Sequence, residues 1–207
     1  EADPLRMMRI TTATGDAYIE NGLPQTGVEK WNEAFEYVKN LDKPRDKTTV
    51  RWGIGRALLL SGEPAEAKAR FEEALERAKG IEDPGLQAMC YDYLGRSQAA
   101  LGDYASALQS YETSLKLYSG TGNPMEVTRL GAFIGQVHEN MGQLAQARKF
   151  YQQALQQFDK HSDRVNQATT LFVLGRLEMK SGNYEVAEAH LRKSIDATEN
   201  MRRMSTS

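Results

Sequence analysis

The residue types that most often perform catalysis or bind metals are few in this chain. It has three histidines and one cysteine, namely His138, His161, His190 and Cys90. None has a partner at metal-ligand spacing, and neither HExxH nor CxxC occurs. We interpret His138 as a helix-packing residue and Cys90 as a small buried hydrophobe rather than a nucleophile. The sequence therefore predicts no catalytic centre, no metal site and no cofactor.

One glycine-rich segment, Gly120-Thr121-Gly122-Asn123, superficially resembles a phosphate-binding loop. A phosphate loop follows a strand and carries Gly-Lys-Ser/Thr, and both features are missing here. A turn between two helices is the better interpretation.

Composition narrows the class of protein. The 207 residues fit one domain or one array of small repeats, with 40% hydrophobic and 26% charged residues. The net charge of −2 gives no reason to expect a nucleic acid or anionic lipid as a partner. No apolar run approaches the roughly 18 residues of a membrane span.

Cellular context is only weakly indicated. A single cysteine and no N-x-S/T sequon fit a reducing compartment such as the cytoplasm. The absence of an initiator methionine and of a signal peptide suggests a fragment of a longer protein.

Glycine and proline recur with a period of 40 residues. Two glycine columns lie 40 apart, the first at Gly15, Gly55, Gly95, Gly135 and Gly175 and the second at Gly22, Gly62, Gly102, Gly142 and Gly182. Prolines repeat independently at Pro4, Pro44, Pro84 and Pro124 and at Pro24 and Pro64. We expect a single array over residues 1–200, with repeats at about 4–43, 44–83, 84–123, 124–163 and 164–200, and then a tail at 201–207.

Each repeat predicts two helices. The first begins at a proline, which is favoured at the first helical position, and Asp3, Asp83 and Asn123 are suited to cap it. It ends at the second glycine column, a typical C-terminal signal. The second helix has an apolar face of period 3.6. We expect helices of about 15 residues and no strands.

The first glycine column lies inside helices, where glycine costs about 1 kcal/mol relative to alanine. This cost indicates a close approach between the two helices of a repeat. On the second helix, small residues at Ala67, Ala107, Ala147 and Ala187 alternate with bulky ones at Trp31, Phe71, Tyr111, Tyr151 and Leu191.

These features resemble the tetratricopeptide repeat (TPR) family. Repeat three carries the family pattern as Leu94-Gly95, Gly102-Asp103-Tyr104, Ala107, Tyr111 and Ser114. Repeat one departs most, with Gly27 in place of the first alanine. The 40-residue unit is similar to the arrays of LGN/Pins adaptors and, at a slightly greater length, of kinesin light chains. The resemblance implies an all-α solenoid of five helix-turn-helix units in a right-handed superhelix, whose first helices line a concave, peptide-binding groove.

That geometry would direct into the groove the residue that follows each glycine of the first column, together with polar residues near it. The peptide-binding candidates are therefore Asp16, Arg56, Arg96, Arg129, Gln136, Asn140, Arg176 and Lys180. With Asp92 and Glu139 as the neighbouring acids, positive charge prevails, so we expect an acidic or carboxylate-bearing peptide. The alternative is that the arginines pair within the groove, as Asp92 and Arg96 can at i, i+4.

Aromatic residues close to the first glycine column allow two interpretations. Trp52, Tyr93, Phe133 and Phe172 suit either ligand anchors or the core between repeats. We favour the core.

The C-terminal end has no polar capping helix, which terminal repeats normally need. We expect an exposed face at Val186, Ala189 and Ile195, available to a continuing chain or to a partner. The segment Arg202-Arg203-Met204-Ser205 resembles a basophilic kinase site, a motif short enough to arise often by chance.

Several functions remain open at this stage. The first is a scaffold or adaptor that binds a peptide of a partner protein. The second is a regulatory or substrate-docking arm of an enzyme whose catalytic domain lies outside this segment. The third is a self-association module. A peptide-sensing regulator with an adjacent DNA-binding or effector segment is a fourth.

Overall fold

The computed structural model describes residues 3–204, and every secondary-structure element in that range is helical. The ten helices are α1 (Pro4–Glu20), α2 (Pro24–Val38), α3 (Pro44–Leu60), α4 (Pro64–Gly80), α5 (Pro84–Ala100), α6 (Tyr104–Gly120), α7 (Pro124–Asn140), α8 (Leu144–Lys160), α9 (Arg164–Lys180) and α10 (Tyr184–Met204). They form five helix-turn-helix repeats, as the glycine and proline columns predict. Most helices have 17 residues, about one half-turn more than expected.

The predicted end of the last helix and one predicted helix cap need correction. The last helix continues to Met204, so residues 201–204 belong to α10 and not to a tail. Asn123 precedes α7 without a side-chain capping bond, whereas Asp3 and Asp83 accept one from Leu5 N–H and Leu86 N–H. Ser205 of the kinase-like motif lies outside the described residues.

The two helices of each repeat are joined by a turn that glycine makes possible. In repeat three, Gly102 has φ +82°, a left-handed conformation that disfavours a side chain. The N–H of Asp103 then donates to the carbonyl of Gln98 at 2.9 Å, and that of Gly102 donates to Ala99 at 3.1 Å. These bonds satisfy carbonyls at the end of α5 and direct the chain into α6.

Close helix pairing accounts for the first glycine column. A Cβ at Gly95 would lie 2.7 Å from Cε1 of Tyr111, whose ring is almost completely buried. The corresponding glycines meet Trp31, Phe71, Tyr151 and Leu191. Burial of one such ring contributes about 1.5–3 kcal/mol, more than the helical glycine costs.

The chain divides into two compact units, residues 1–121 and 122–207. In the first, successive helices from α1 to α6 pack on one another, and a continuous core extends from Met8 to Leu94. In the second, α7 to α10 pack in the same order around Tyr151, Leu174 and Leu177. No helix within residues 3–204 has both the length and the apolar character of a bilayer span.

Candidate functional site

In the first unit, Arg56 is paired with an acid of the preceding repeat. Its guanidinium on α3 forms an ion pair with Asp16 on α1, one full repeat earlier. The same carboxylate accepts a bond from Nε1 of Trp31 at 3.0 Å. Asp16 and Arg56, both predicted to face a ligand, thus link α1, α2 and α3 to one another.

Arg96 is held in a similar way within α5. Its Nε and Nη2 donate to the two carboxylate oxygens of Asp92, each at 2.8 Å. Asp92 is completely buried, and the guanidinium lies 4.2 Å from the ring centroid of Tyr93. The i, i+4 pairing proposed as the alternative to ligand binding is therefore present.

The second unit arranges its charges around a buried carboxylate. Glu139 on α7 has a side chain only 1% exposed. It accepts bonds from Nζ of Lys180 at 2.5 Å, from Nη2 of Arg176 at 3.3 Å and from the hydroxyl of Tyr151 at 3.1 Å. Burial alone would raise the pKa of Glu139, but these three partners outweigh it and lower that pKa. Glu139 is therefore an anion that joins α7, α8 and α9.

Both cations that bind Glu139 also face solvent. The side chains of Arg176 and Lys180 are 45% and 51% exposed. Gln136 and Asn140, at the equivalent positions one repeat earlier, are exposed on α7. We call Gln136, Asn140, Arg176 and Lys180 the α7–α9 patch.

The cations predicted to line the groove are neutralised to different extents in the two units. In the first, Arg56 and Arg96 face Asp16 and Asp92, so two cations meet two carboxylates. In the second, Arg129 pairs with Glu126 on its own helix, while Arg176 and Lys180 share Glu139. Three cations against two carboxylates leave one positive charge, and it lies with the α7–α9 patch.

The aromatic column contributes mainly to packing. Trp52 and Tyr93 meet edge to face with their centroids 5.0 Å apart, and both lie against the core of the first unit. Phe133 is half-buried. The core interpretation does not hold for Phe172, which is 51% exposed on α9.

The sequence did not reveal the other buried carboxylate of the second unit, Glu178. It accepts bonds from Nε and Nη2 of Arg148 at 2.5 and 2.9 Å and from Nδ2 of Asn183 at 2.7 Å, linking α8, α9 and the turn before α10. These bonds, chiefly that from Arg148, lower the pKa of Glu178. The sequence did contain a signal for its burial. Glu178 is equivalent by the 40-residue period to Leu58, which lies in the core of repeat two.

His138 and Cys90, which were both interpreted as packing residues, contact other side chains or lie in the core. His138 stacks on Phe150 with centroids 5.4 Å apart, and its Nδ1 lies 2.6 Å from Oε1 of Gln143. Cys90 is fully buried, and burial raises the pKa of its thiol to about 12, so the nucleophilic thiolate is suppressed. Among residues 3–204, His, Cys, Asp and Glu side chains form no group suited to hold a metal ion.

Comparison with known proteins decides the family. The tetratricopeptide repeat profile matches residues 46–119 and 128–200, more than half of the chain. The chain belongs to the tetratricopeptide repeat family. None of the curated proteins compared with it matches its sequence.

Solved structures share the fold of this TPR array at low sequence identity. BtubC (BKLC) from P. vanneervenii is similar with a TM-score of 0.78 and 17% identity, over 97% of this chain and 84% of that chain. A putative kinesin light chain TPR-like repeat protein from Podosopora anserina gives 0.70 and 17%, over 98% and 100%. The Rap conjugation gene regulator of plasmid pLS20, in complex with the Phr* peptide, gives 0.81 and 16%, over 97% of this chain and 55% of that chain.

Proposed function

We propose that this TPR array is a non-catalytic scaffold or adaptor module that binds an acidic segment of a partner protein through the α7–α9 patch. The observation that carries the proposal is the double role of Arg176 and Lys180. Each is fixed on one side by the buried Glu139 and exposed on the other. The TPR fold supports a protein or peptide as the ligand, and the pLS20 regulator is a structural neighbour solved with a peptide.

Fixed cations bind a carboxylate at a lower entropic cost than free ones. Long side chains normally lose rotamer freedom on binding, about 0.5–1.5 kcal/mol each. Because Glu139 already orders Arg176 and Lys180, most of that loss is incurred during folding. The guanidinium of Arg176 retains N–H donors for a ligand carboxylate, to which arginine binds in a bidentate manner.

The remaining patch residues suit a peptide backbone. The amides of Gln136 and Asn140 each offer two donors and one acceptor, which match backbone carbonyl and N–H groups. One acidic side chain on the cations and the adjacent backbone on the amides would define one register of the ligand. Arg56 and Arg96 act in this proposal mainly as structural residues, because a ligand would have to displace Asp16 or Asp92 to reach them.

A peptide selection with matched variants tests the proposal. Random 12-residue peptides displayed on phage are selected on the native chain, and we expect enrichment of Asp and Glu. The double variant Arg176→Gln, Lys180→Gln should bind the selected peptide at least about tenfold more weakly, as measured by fluorescence anisotropy. A tenfold loss of affinity corresponds to the loss of at least one charge-assisted hydrogen bond.

The control removes the same charge elsewhere. Lys149 and Arg192 are exposed on α8 and α10, so the variant Lys149→Gln, Arg192→Gln changes the net charge equally without altering the patch. Its affinity should stay within about twofold of the native chain at 0.15 M salt. Equal loss in both double variants would reduce the effect to net charge and contradict a specific patch. Selected peptides without acidic residues would contradict the acidic ligand.

Self-association is a second candidate, favoured by the exposed face of α10. Tyr184, Val186 and Ile195 are large and about half or more exposed. Scattered apolar residues are common on surfaces, so this observation is weaker than the patch. Sedimentation equilibrium at two concentrations tests it, and a constant monomer mass would contradict it.

A regulatory arm of a longer protein is the third candidate. It is supported by the likeness to the pLS20 conjugation gene regulator, of whose chain this array covers 55%. It shares the peptide-binding step with the first proposal and differs in what the peptide controls. The sequence of the parent gene separates the two.

A further inference from the structure

The second unit contains a pocket that is separate from the α7–α9 patch. It has a volume of about 400 Å³ and lies between α8 and α10, with α9 as its floor. Leu155, Leu171 and Leu174 give it an apolar base, and the polar lining consists of Gln152, Gln156, Asp159, Gln167, His190 and Lys193. We call it the α8–α10 pocket. Its volume is within the range of small-ligand sites.

The pocket can be compared with the equivalent grooves of two other repeats in the same chain. Its central floor residue, Leu171, is equivalent by the 40-residue period to Arg51 on α3 and to Tyr91 on α5. Arg51 lies across the groove between α2 and α4, 4.2 Å from the ring centroid of Phe35, and its Nε donates to Glu73 at 2.7 Å. The equivalent groove is thus filled by the chain's own side chain in repeat two.

Tyr91 has the same role in repeat three. It is half-buried against the core that contains Phe71, Ala74 and Leu75. The pKa of Lys79, raised mainly by its bond to Glu76, is raised further by the nearby Tyr91 phenol. Lys79 is equivalent to Asp159 at the α8–α10 pocket, so the phenol of Tyr91 lies in repeat three beside the residue that corresponds to a lining residue of the pocket.

The residues around the pocket match the tyrosine groove and not the arginine groove. Leu155, Gln167 and Leu174 are equivalent to Leu75, Gln87 and Leu94, and each residue type is the same. Leu75 and Leu94 belong to the core against which Tyr91 packs. In contrast, Leu155 and Lys193 replace Phe35 and Glu73, the two partners of Arg51. A guanidinium would lose its aromatic face and meet a like charge.

We propose that the α8–α10 pocket binds a tyrosine side chain of a partner protein, which takes the place that Tyr91 fills in repeat three. The ring packs on the three leucines, as Tyr91 packs against the core that contains Leu75 and Leu94. The hydroxyl has two polar groups to bond. His190 contributes Nδ1, which is buried and finds no hydrogen-bond partner within residues 3–204. Asp159 contributes a carboxylate acceptor.

This pocket is independent of the proposed acidic-peptide site. Gln136, Asn140, Arg176 and Lys180 do not line it. A partner can therefore contact both sites with different residues, or either alone. Failure of one proposal leaves the other intact.

The test uses N-acetyl-tyrosinamide as the probe and methyl and amide NMR of the full 207-residue chain as the readout. We expect shifts at Leu155, Leu171 and His190, with a dissociation constant on the order of 1 mM for a ligand of this size. Nuclear Overhauser contacts should join the probe ring to the Leu155 and Leu171 methyl groups. N-acetyl-phenylalaninamide should bind roughly threefold or more weakly, because it cannot bond Nδ1 of His190 or Asp159.

A variant that copies repeat three provides the control. Leu171→Tyr places in repeat five the residue that repeat three has at this position, so it should fold and abolish probe binding. Val165→Tyr adds the same side chain at an exposed position of α9 that does not line the pocket, so this variant should bind the probe as the native chain does. Circular dichroism confirms that both are folded.

Three results would overturn the proposal. They are the absence of shifts in the native chain at 20 mM probe, unchanged binding by Leu171→Tyr, and equal affinity for the phenylalanine analogue. Should Leu171→Tyr not fold, the Overhauser contacts in the native chain decide alone, because a probe bound elsewhere would not contact the Leu155 and Leu171 methyl groups.

Discussion

At the residue scale, Gly95 and Gly131 test why glycine occurs inside these helices. Both lie in the interior of a helix, α5 and α7 respectively. A Cβ at Gly95 would lie 2.7 and 2.8 Å from the ring of Tyr111, whereas one at Gly131 would meet no atom within 4 Å. The two positions therefore share the helix-propensity gain of alanine and differ only in the steric cost.

We expect Gly95→Ala to lower the free energy of unfolding by about 1–2 kcal/mol. Overpacking a buried ring costs about 1–3 kcal/mol, and the better helix propensity of alanine offsets up to about 1 kcal/mol of it. Gly131→Ala should raise the free energy of unfolding by about 0.5–1 kcal/mol. Urea unfolding followed by circular dichroism measures both, and a stabilised Gly95→Ala would refute close helix pairing as the reason for the first glycine column.

At the element scale, one buried hydroxyl joins α5 to α6. Oγ of Ser114 donates to the carbonyl of Ala88 at 2.8 Å, and Ser194 makes the equivalent bond to Ala168 in repeat five. Repeat two has Ala74 at this position, so the site accepts alanine without a clash. The bond is therefore an addition to the packing rather than a condition for it.

Ser114→Ala should lower the free energy of unfolding by about 0.5–1.5 kcal/mol, the usual net value of a buried hydrogen bond. Ser119→Ala is the matched control, because Ser119 is exposed on the same helix and the gain in helix propensity is the same. The difference between the two urea midpoints isolates the bond between the helices. If the two midpoints move equally, the Ser114 bond contributes nothing.

The turns between repeats contain a strained residue that glycine would relieve. Ser162 has φ +56° and Glu82 has φ +52°, while the equivalent residue in repeat three is Gly122 at φ +71°. A side chain in this region costs about 1–2 kcal/mol, partly offset by the greater freedom of glycine in the unfolded chain. Ser162→Gly should therefore raise the free energy of unfolding by about 0.5–1 kcal/mol in urea. Gly62→Ala, the reverse change at φ +83°, should lower it.

Periodicity made the helices predictable, but the contacts between them were less so. The proline and glycine columns mark helix ends through local backbone preferences, which the sequence shows directly. The repeat boundary predicted the turn before α9, but not the left-handed conformation of Ser162, because no glycine marks it. The ion pairs of Arg56 and Arg176 connect residues 40 and 37 apart, and their formation depends on which acid the side chain reaches in the packed array. The α8–α10 pocket depends likewise on a single side chain, because Leu171 is shorter than Arg51 and Tyr91, which fill the equivalent grooves of the first unit.

At the scale of the whole molecule, the two compact units use charge in different ways. In the first unit, Asp16 and Asp92 neutralise Arg56 and Arg96, so these four side chains together carry no net charge. In the second unit, Glu139 and Glu178 are buried carboxylates that each bond residues from neighbouring helices. The packing of α7, α8 and α9 therefore depends on two groups that acid can neutralise.

Acid should destabilise the chain through these two carboxylates. The pKa values of Glu139 and Glu178 are lowered from the ordinary 4.5, so the folded state binds their protons less readily than the unfolded state does. Their stabilising contribution is complete above about pH 4.5 and is lost as the pH falls through the lowered values. Through these two carboxylates, we expect the midpoint of thermal unfolding to change little above about pH 5 and to fall as the pH is lowered from about 4.5 to about 3.

The variant Glu178→Gln separates this linkage from general acid denaturation. It should lower the midpoint at about pH 7, because Arg148 loses its charged partner, and should make the fall below about pH 4.5 smaller than in the native chain. Glu188→Gln removes a carboxylate of an exposed ion pair with Arg192 on α10, so its pH profile should parallel that of the native chain. If Glu178→Gln retains the full native fall, the acid sensitivity originates in other carboxylates and the buried network of α9 does not control it.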